Sequence, residues 1–287
     1  MSKAWFITGT SSGLGLALTK RLLERGDRVV ATLRRPHLLV NLVEQYGNQL
    51  WVQQLDVTDT RQLREVVNDV FADLDRIDVV VSNAGYGVFG AAEELTDEQI
   101  DSMLATNLTA SIQLARAVTP HLRSQGGGII LQLSSMGGLI GVPNFSLYHT
   151  TKWGIEGFYE AFAPEVEPFG IRTILIEPGM IRTPFFVAAQ HAPRHEAYLD
   201  HPAIAENPPV ESMPGDQAKV VAATIAAADS DNPPRRLLLG SDAYVRVSGA
   251  LTDRLRCFEM HRDTAFSTDY DDFRISGSSA RAVPPSA

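Results

Sequence analysis

The chain has 287 residues, 44% of them apolar and 21% charged, enough for a sizeable buried core and too few charges for a disordered chain. Lys and Arg number 25 against 34 Asp and Glu, and the resulting formal charge of −9 argues against a general nucleic-acid binder or a protein docked on an acidic membrane. The lone cysteine, Cys257, excludes an internal disulfide framework and a cysteine-rich zinc site.

The first strand-like run, Ala4 to Thr8, begins almost at once, so no signal peptide is expected. No apolar run nears the roughly 18 residues of a membrane span, so the expected location is cytoplasmic. A helical pattern follows from Leu14 to Arg25, stopped by Gly26. Val29 to Thr32 reads as the second strand, Leu38 to Tyr46 as a short helix, and Trp51 to Leu55 as the third strand. From Asp59 to Leu74 the spacing is helical, with Leu63, Val66, Val67 and Val70 on one face. Val79 to Val81 is a buried-type strand, two helix patterns flank Asn107, and Ile129 to Leu133 is the next strand. Phe145 to Phe169 predicts a long helix, Thr173 to Ile176 a strand, Asp216 to Ala228 a helix and Leu237 to Leu239 a last strand.

Seven apolar strands separated by helices predict a parallel sheet covered on both faces, a single Rossmann-like doubly wound α/β domain. Residues 184–214 contain six prolines and no clear period, which marks them as a substrate lid. Residues 241–287 form a C-terminal extension whose tail from Gly277 is expected to fray.

The first strand runs into Thr8-Gly9-Thr10-Ser11-Ser12-Gly13-Leu14-Gly15. Glycines at this spacing allow a tight turn and a close backbone approach to a diphosphate, which would meet the N–H groups of the helix behind it. Ser11 and Ser12 can donate to the same phosphates. At the end of the second strand an NAD site usually presents a carboxylate, whereas here stand Arg34 and Arg35. A guanidinium suits a 2′-phosphate, so NADP(H) is favoured over NAD(H), with Arg34 the first choice.

Tyr148 and Lys152 are four apart at the start of the long helix and so share a face. An unperturbed phenol is a weak acid–base catalyst at neutral pH, and an adjacent ammonium is expected to lower its pKa. Ser135 lies 13 residues earlier, just past a strand, where its hydroxyl can hold a substrate carbonyl beside the phenol.

These motifs, in this order, resemble the short-chain dehydrogenase/reductase family from about Ala4 to Leu239, and the finer pattern resembles its 17β-hydroxysteroid-dehydrogenase-like subset. The resemblance implies that Asp56 and Val57 contact adenine and that Asn83-Ala84-Gly85 lines the adenosine side. Ser82 departs from the family, where a second Asn is common. It implies further that the segment Pro178-Gly179 through Ile181 to Thr183 borders nicotinamide, and that Asn107, Ser135, Tyr148 and Lys152 form the catalytic group. The implied reaction moves a hydride between nicotinamide and a carbonyl or carbinol carbon, with Tyr148 handling the proton and Lys152 also holding the nicotinamide ribose. In the family Asn107 links Lys152 to solvent through water, and a homodimer or homotetramer is usual. Glu177 has no family role and is expected to be exposed.

The residues expected to face the substrate are mostly apolar: Tyr86, Val88 and Phe89, then Met136, Val142 and Pro143, then Phe185 and Phe186. They suit a small hydrophobic ketone or alcohol. His191, His195 and His201 cluster in the lid, but Pro193 breaks the helical spacing a chelate would use, so no metal is expected. Two other functions fit the same fold: a nucleotide-binding regulator without chemistry, and an epimerase or dehydratase that keeps the Tyr–Lys pair.

Overall fold

The computed structural model describes residues 2–204 and 209–270. The expected fraying tail from Gly277 therefore lies outside the described residues, as does part of the proposed lid. The chain divides into two compact units, 1–247 and 248–287.

The first unit begins with β1 (Ala4–Thr8), α1 (Gly13–Arg25), β2 (Arg28–Leu33), α2 (Val40–Tyr46), β3 (Leu50–Gln54), α3 (Thr60–Asp73) and β4 (Val79–Ser82). A two-residue strand β5 (Val88–Phe89), α4 (Asp97–Met103), α5 (Ala110–Ser124), β6 (Gly128–Leu133) and the long α6 (Ser146–Val166) follow. The unit continues through β7 (Ile171–Pro178), one turn α7 (Phe185–Ala188), a second short strand β8 (Gln190–His191), α8 (Gln217–Asp229) and β9 (Arg236–Leu239). It ends inside α9 (Ser241–Met260). Within the described part of the second unit, the rest of α9 is followed by α10 (Arg262–Phe266).

Seven strands form one parallel sheet in the order β3-β2-β1-β4-β6-β7-β9. Every residue of β1 is buried, because helices cover both sides of it. Side chains alternate across the pleat. Phe6, Val30, Val80 and Ile130 meet α3, α5 and α6, whose buried stripes include Val67, Val118 and Tyr159. Trp5, Ile7, Val29, Val79 and Leu131 turn the other way onto α1 and α8 through Leu22, Val221 and Ile225.

Helix boundaries follow local chemistry. Asp59 caps α3 by accepting from the backbone of Arg61 and Gln62, and Asp216 caps α8 in the same way. Gly26 takes the left-handed conformation that closes α1. The expected long helix is shorter at both ends: Phe145 stands outside α6 and residues 167–169 form a tighter turn that closes on Gly170. Between α4 and α5 the chain winds as a π-helix over Leu104–Thr109, which turns Asn107 inward.

Strand order reverses between β1 and β4, where crossovers leave in opposite directions and a crevice opens at the strands' carboxyl ends. The glycine turn after β1 and Asn83 after β4 face that crevice. Among the described residues, no helix is long and apolar enough to cross a membrane.

Candidate active site

A cavity of about 970 Å³ occupies the crevice. Its lining gathers Gly9, Ser11, Ser12, Gly13, Leu14, Arg34, Asp56, Val57, Asn83, Ala84, Gly85, Pro178, Gly179, Ile181 and Thr183 from the predicted cofactor set. Gly15 stands behind this wall, and Arg35 is exposed without lining it.

The glycine turn is built by close approach. Gly9 has φ +72°, and a Cβ there would lie 2.8 Å from Ala84 Cα. A Cβ on Gly15 would lie 2.4 Å from the Gly9 oxygen. Asn83 ties the turn to β4 by donating from Nδ2 to the oxygens of Thr8 (2.8 Å) and Gly9 (3.0 Å). Helix α1 then starts on Ser12 with no side-chain cap and no acid in its first turn. Its leading N–H groups and positive dipole end are thus open to an anion. At the far end, the Thr58 hydroxyl and the Arg34 charge hold the Asp56 carboxyl below its ordinary range, against the opposing effect of burial. These features fit a dinucleotide laid from Arg34 to Thr183.

Tyr148 and Lys152 share the buried face of α6. The lysine Nζ lies 5.6 Å from the centre of the phenol ring and donates to the oxygen of Leu133 at 2.8 Å. Burial lowers the ammonium pKa to about 8, against the opposing pull of Glu156. The phenol does not follow the sequence expectation. Burial pushes it up to about 12, and a hydrogen bond with Ser135 works the other way. Ser135 Oγ also accepts from the Gly137 amide at 3.0 Å.

Asn107 is buried and holds both polar groups of the Tyr86 backbone: Oδ1 accepts from its nitrogen (3.1 Å) and Nδ2 donates to its oxygen (2.8 Å). The amide also reaches Thr151 Oγ1 at 3.4 Å, between the tyrosine and the lysine. It thereby locks the chain after Asn83-Ala84-Gly85 against α6.

Of the predicted substrate residues, Tyr86, Phe89, Met136, Val142, Pro143, Phe185 and Phe186 line the cavity, while Val88 belongs to the small core beneath. Phe145, Ile140, His149, Met180 and Arg246 also line it and were missed. Phe145 stacks between Phe89 (4.2 Å) and Tyr148 (4.3 Å), so the phenol ends a column of three rings. The i, i+3 spacing of Phe145 and Tyr148 was the available signal.

Part of the proline-rich segment expected to be a lid is tied to the chain beside this column. β8 pairs in parallel with β5, and the Ala192 amide donates to the Phe89 oxygen at 2.7 Å. Glu94 accepts from the amides of Ala91 and His195, each at 2.8 Å. His191 lies on β8 and His195 caps a turn, so the two do not share a helix face.

Glu177, expected at the surface, is buried. It and Glu156 of α6 both reach Arg236 Nη1, and Glu160 binds the same guanidinium. Burial, then the Glu156 charge, raises the Glu177 pKa, with Arg236 opposing.

The sequence profile of the short chain dehydrogenase family matches residues 3–194. The chain is 38% identical over 252 residues to the oxidoreductase BOA17 of Botryotinia fuckeliana, covering 85% of this chain and 90% of that one. The crystal structure of a short-chain dehydrogenase from Streptomyces avermitilis superposes with a TM-score of 0.86 at 35% identity, covering 94% of this chain and 99% of its own. A structure of ElxO with NADP bound gives a TM-score of 0.70 at 25% identity, covering 83% of this chain and 97% of its own. Profile, relatives and parallel sheet agree: the chain belongs to the short chain dehydrogenase family.

Proposed function

We propose that this protein is an NADP(H)-dependent oxidoreductase acting on a small hydrophobic ketone or secondary alcohol. The observation that carries the reading is the burial of Tyr148 and Lys152 side by side, with Ser135 bonded to the phenol, in a cavity that extends to Arg34. Nicotinamide, when bound, supplies or accepts the hydride. Gly9 to Gly13 and the start of α1 would hold the diphosphate, Arg34 the 2′-phosphate, and Pro178 to Thr183 the nicotinamide. NADP bound to ElxO supports the same choice of cofactor.

The protein's own work is positioning and proton transfer. A phenol held near 12 is fully protonated at neutral pH, as an acid should be when a ketone is reduced. Ser135 would share the substrate oxygen with Tyr148. The ammonium of Lys152, pinned to Leu133, would bind ribose hydroxyls and favour the phenolate that forms when the proton leaves. The column of Phe89, Phe145 and Tyr148 and the strapped lid would keep water from the reacting carbon.

The test follows NADPH oxidation with a panel of alkyl, aryl and cyclic ketones, parent against Tyr148→Phe. Turnover by the parent with a loss of 100-fold or more in the variant is expected. Equal rates would remove Tyr148 as the acid. Tight nucleotide binding without turnover on any ketone or alcohol would favour a regulator. Isomerisation of substrate without net cofactor consumption would favour an epimerase.

A further inference from the structure

His149 follows Tyr148 on α6, and its imidazole has two backbone partners on one neighbouring turn. Nδ1 lies 2.8 Å from the oxygen of Gly137. Nε2 accepts from the amide of Val142 at 3.0 Å. The carbonyl has no proton to offer, so Nδ1 must bear the ring's N–H. The amide needs a lone pair, so Nε2 must be bare. These partners select one neutral tautomer, and a second proton would set N–H against N–H.

The charged and titratable neighbours point the same way. Burial holds the imidazole pKa below its ordinary value and the guanidinium charge of Arg246 on α9 adds to it, against the opposing hydrogen bond with the Gly137 oxygen. The Tyr148 phenol stands edge-on at 6.0 Å and the Phe145 ring edge-on at 5.7 Å. The turn itself brings no charged side chain.

That turn makes one wall of the cavity through Met136, Ile140, Val142 and Pro143. It also sets the serine, because the Gly137 amide occupies a lone pair of Ser135 Oγ. The Gly137 oxygen held by His149 and the amide held by Ser135 belong to the same residue. The packing is tight there, since a Cβ on Gly137 would lie 3.0 Å from His149 Nδ1.

We infer that His149 is a positioning residue whose neutral ring clamps both ends of the 137–142 turn, setting Ser135 and the apolar wall for the substrate. The inference rests on the oxidoreductase reading for its effect on rate, but the clamp itself can be read without turnover. Protonation opens the clamp by expelling the Val142 amide. Glutamine is the conservative substitute: its amide offers one donor and one acceptor about as far apart as the ring nitrogens, and it does not titrate.

The experiment compares the NADPH-loaded parent with His149→Ala and His149→Gln, at pH values from 5 to 8. With the best ketone of the panel, alanine is expected to lose tenfold or more in kcat/KM, with NADPH affinity within threefold of the parent. Glutamine is expected to recover most of that loss near pH 7.5. The parent's kcat/KM should fall in acid below the ordinary histidine range, and the glutamine variant should lack that limb. Hydrogen exchange of the 136–143 peptide supplies the second readout: protection falls in acid for the parent, at every pH for alanine, and stays for glutamine. An unchanged acid limb in glutamine, or equal exchange in all three proteins, overturns the clamp. No turnover by the parent, with exchange behaving as stated, overturns the oxidoreductase reading and leaves the clamp standing.

Discussion

The Lys152 ammonium donates a hydrogen bond to the main-chain oxygen of Leu133, so the amine is tethered to the end of the strand that leads into Ser135. Burial of this charge costs stability. The folded pKa of about 8 lies below the ordinary lysine value of 10.5, so the cost is fully felt below pH 8 and fades as pH rises towards 10.5. Its size is on the order of 3 kcal/mol, part of which returns if the Leu133 oxygen is left unpaired. Lys152→Met is therefore expected to melt no lower than the parent at pH 7, to lose that advantage near pH 10, and to lose at least 100-fold in turnover. Thermal melts at both pH values beside a rate assay check this; a variant much less stable at pH 7 contradicts it.

Arg34 borders the cavity beside Asp56, while Arg35 does not line it. Arg34→Asp should weaken NADPH by 10- to 100-fold and leave NADH within a few-fold, because a charge-assisted clamp on phosphate is replaced by a like charge. Arg35→Asp should do much less. Fluorescence titration of both nucleotides decides; an unchanged ratio for Arg34→Asp removes it from the 2′-phosphate site.

Two glycines of the turn differ in kind. Gly15→Ala would drive a methyl to within 2.4 Å of the Gly9 oxygen and 2.5 Å of Asn83 Nδ2. Gly13 has open space but φ +55°, so alanine there meets backbone strain alone, about 1–2 kcal/mol. Gly15→Ala should lose more than tenfold in dinucleotide affinity and melt lower than Gly13→Ala. Calorimetric titration and melting of the two variants test the order.

The buried carboxylate of Glu177 makes a prediction opposite in sign to that of most acids. Its folded pKa, raised to about 7, exceeds the ordinary glutamate value of 4.5. The associated stability is complete below pH 4.5 and is lost as pH climbs through 7. Glu177→Gln should therefore flatten the decline in stability between pH 5 and pH 8, while Arg236 keeps Glu156 and Glu160. Urea unfolding at the two pH values measures it; parallel declines in parent and variant refute it.

Much of this architecture was legible because parallel strands buried on both faces leave continuous apolar runs such as Trp5-Phe6-Ile7 and Val79-Val80-Val81. The glycine turn and the Tyr148–Lys152 spacing were equally plain, since each depends on near neighbours in the chain. What escaped depends on distant ones. Glu177 looked like a surface acid because its partners come from α6 and β9. The phenol's pKa was misjudged because burial by Phe145 and the lid outweighs a charge one turn away. Val88 was placed in the substrate wall, but it is packed within the small core it shares with Phe89, and only Phe89 of the two also borders the cavity. The strap between β5 and β8 had no periodicity to announce it, being only two residues long on each side.

The wide winding at Leu104–Thr109 has a consequence for comparing chains of this kind. An α-helix advances about 100° per residue, so one surplus residue re-aims everything beyond it by that angle. Removing a single position between Met103 and Ala110 would restore ordinary pitch, swing Asn107 off Tyr86 and rotate the α5 stripe of Leu114 and Val118 away from the sheet. A one-residue gap aligned here is thus a change of phase, and kin with different helix lengths at this point would need a compensating slip before their core positions correspond.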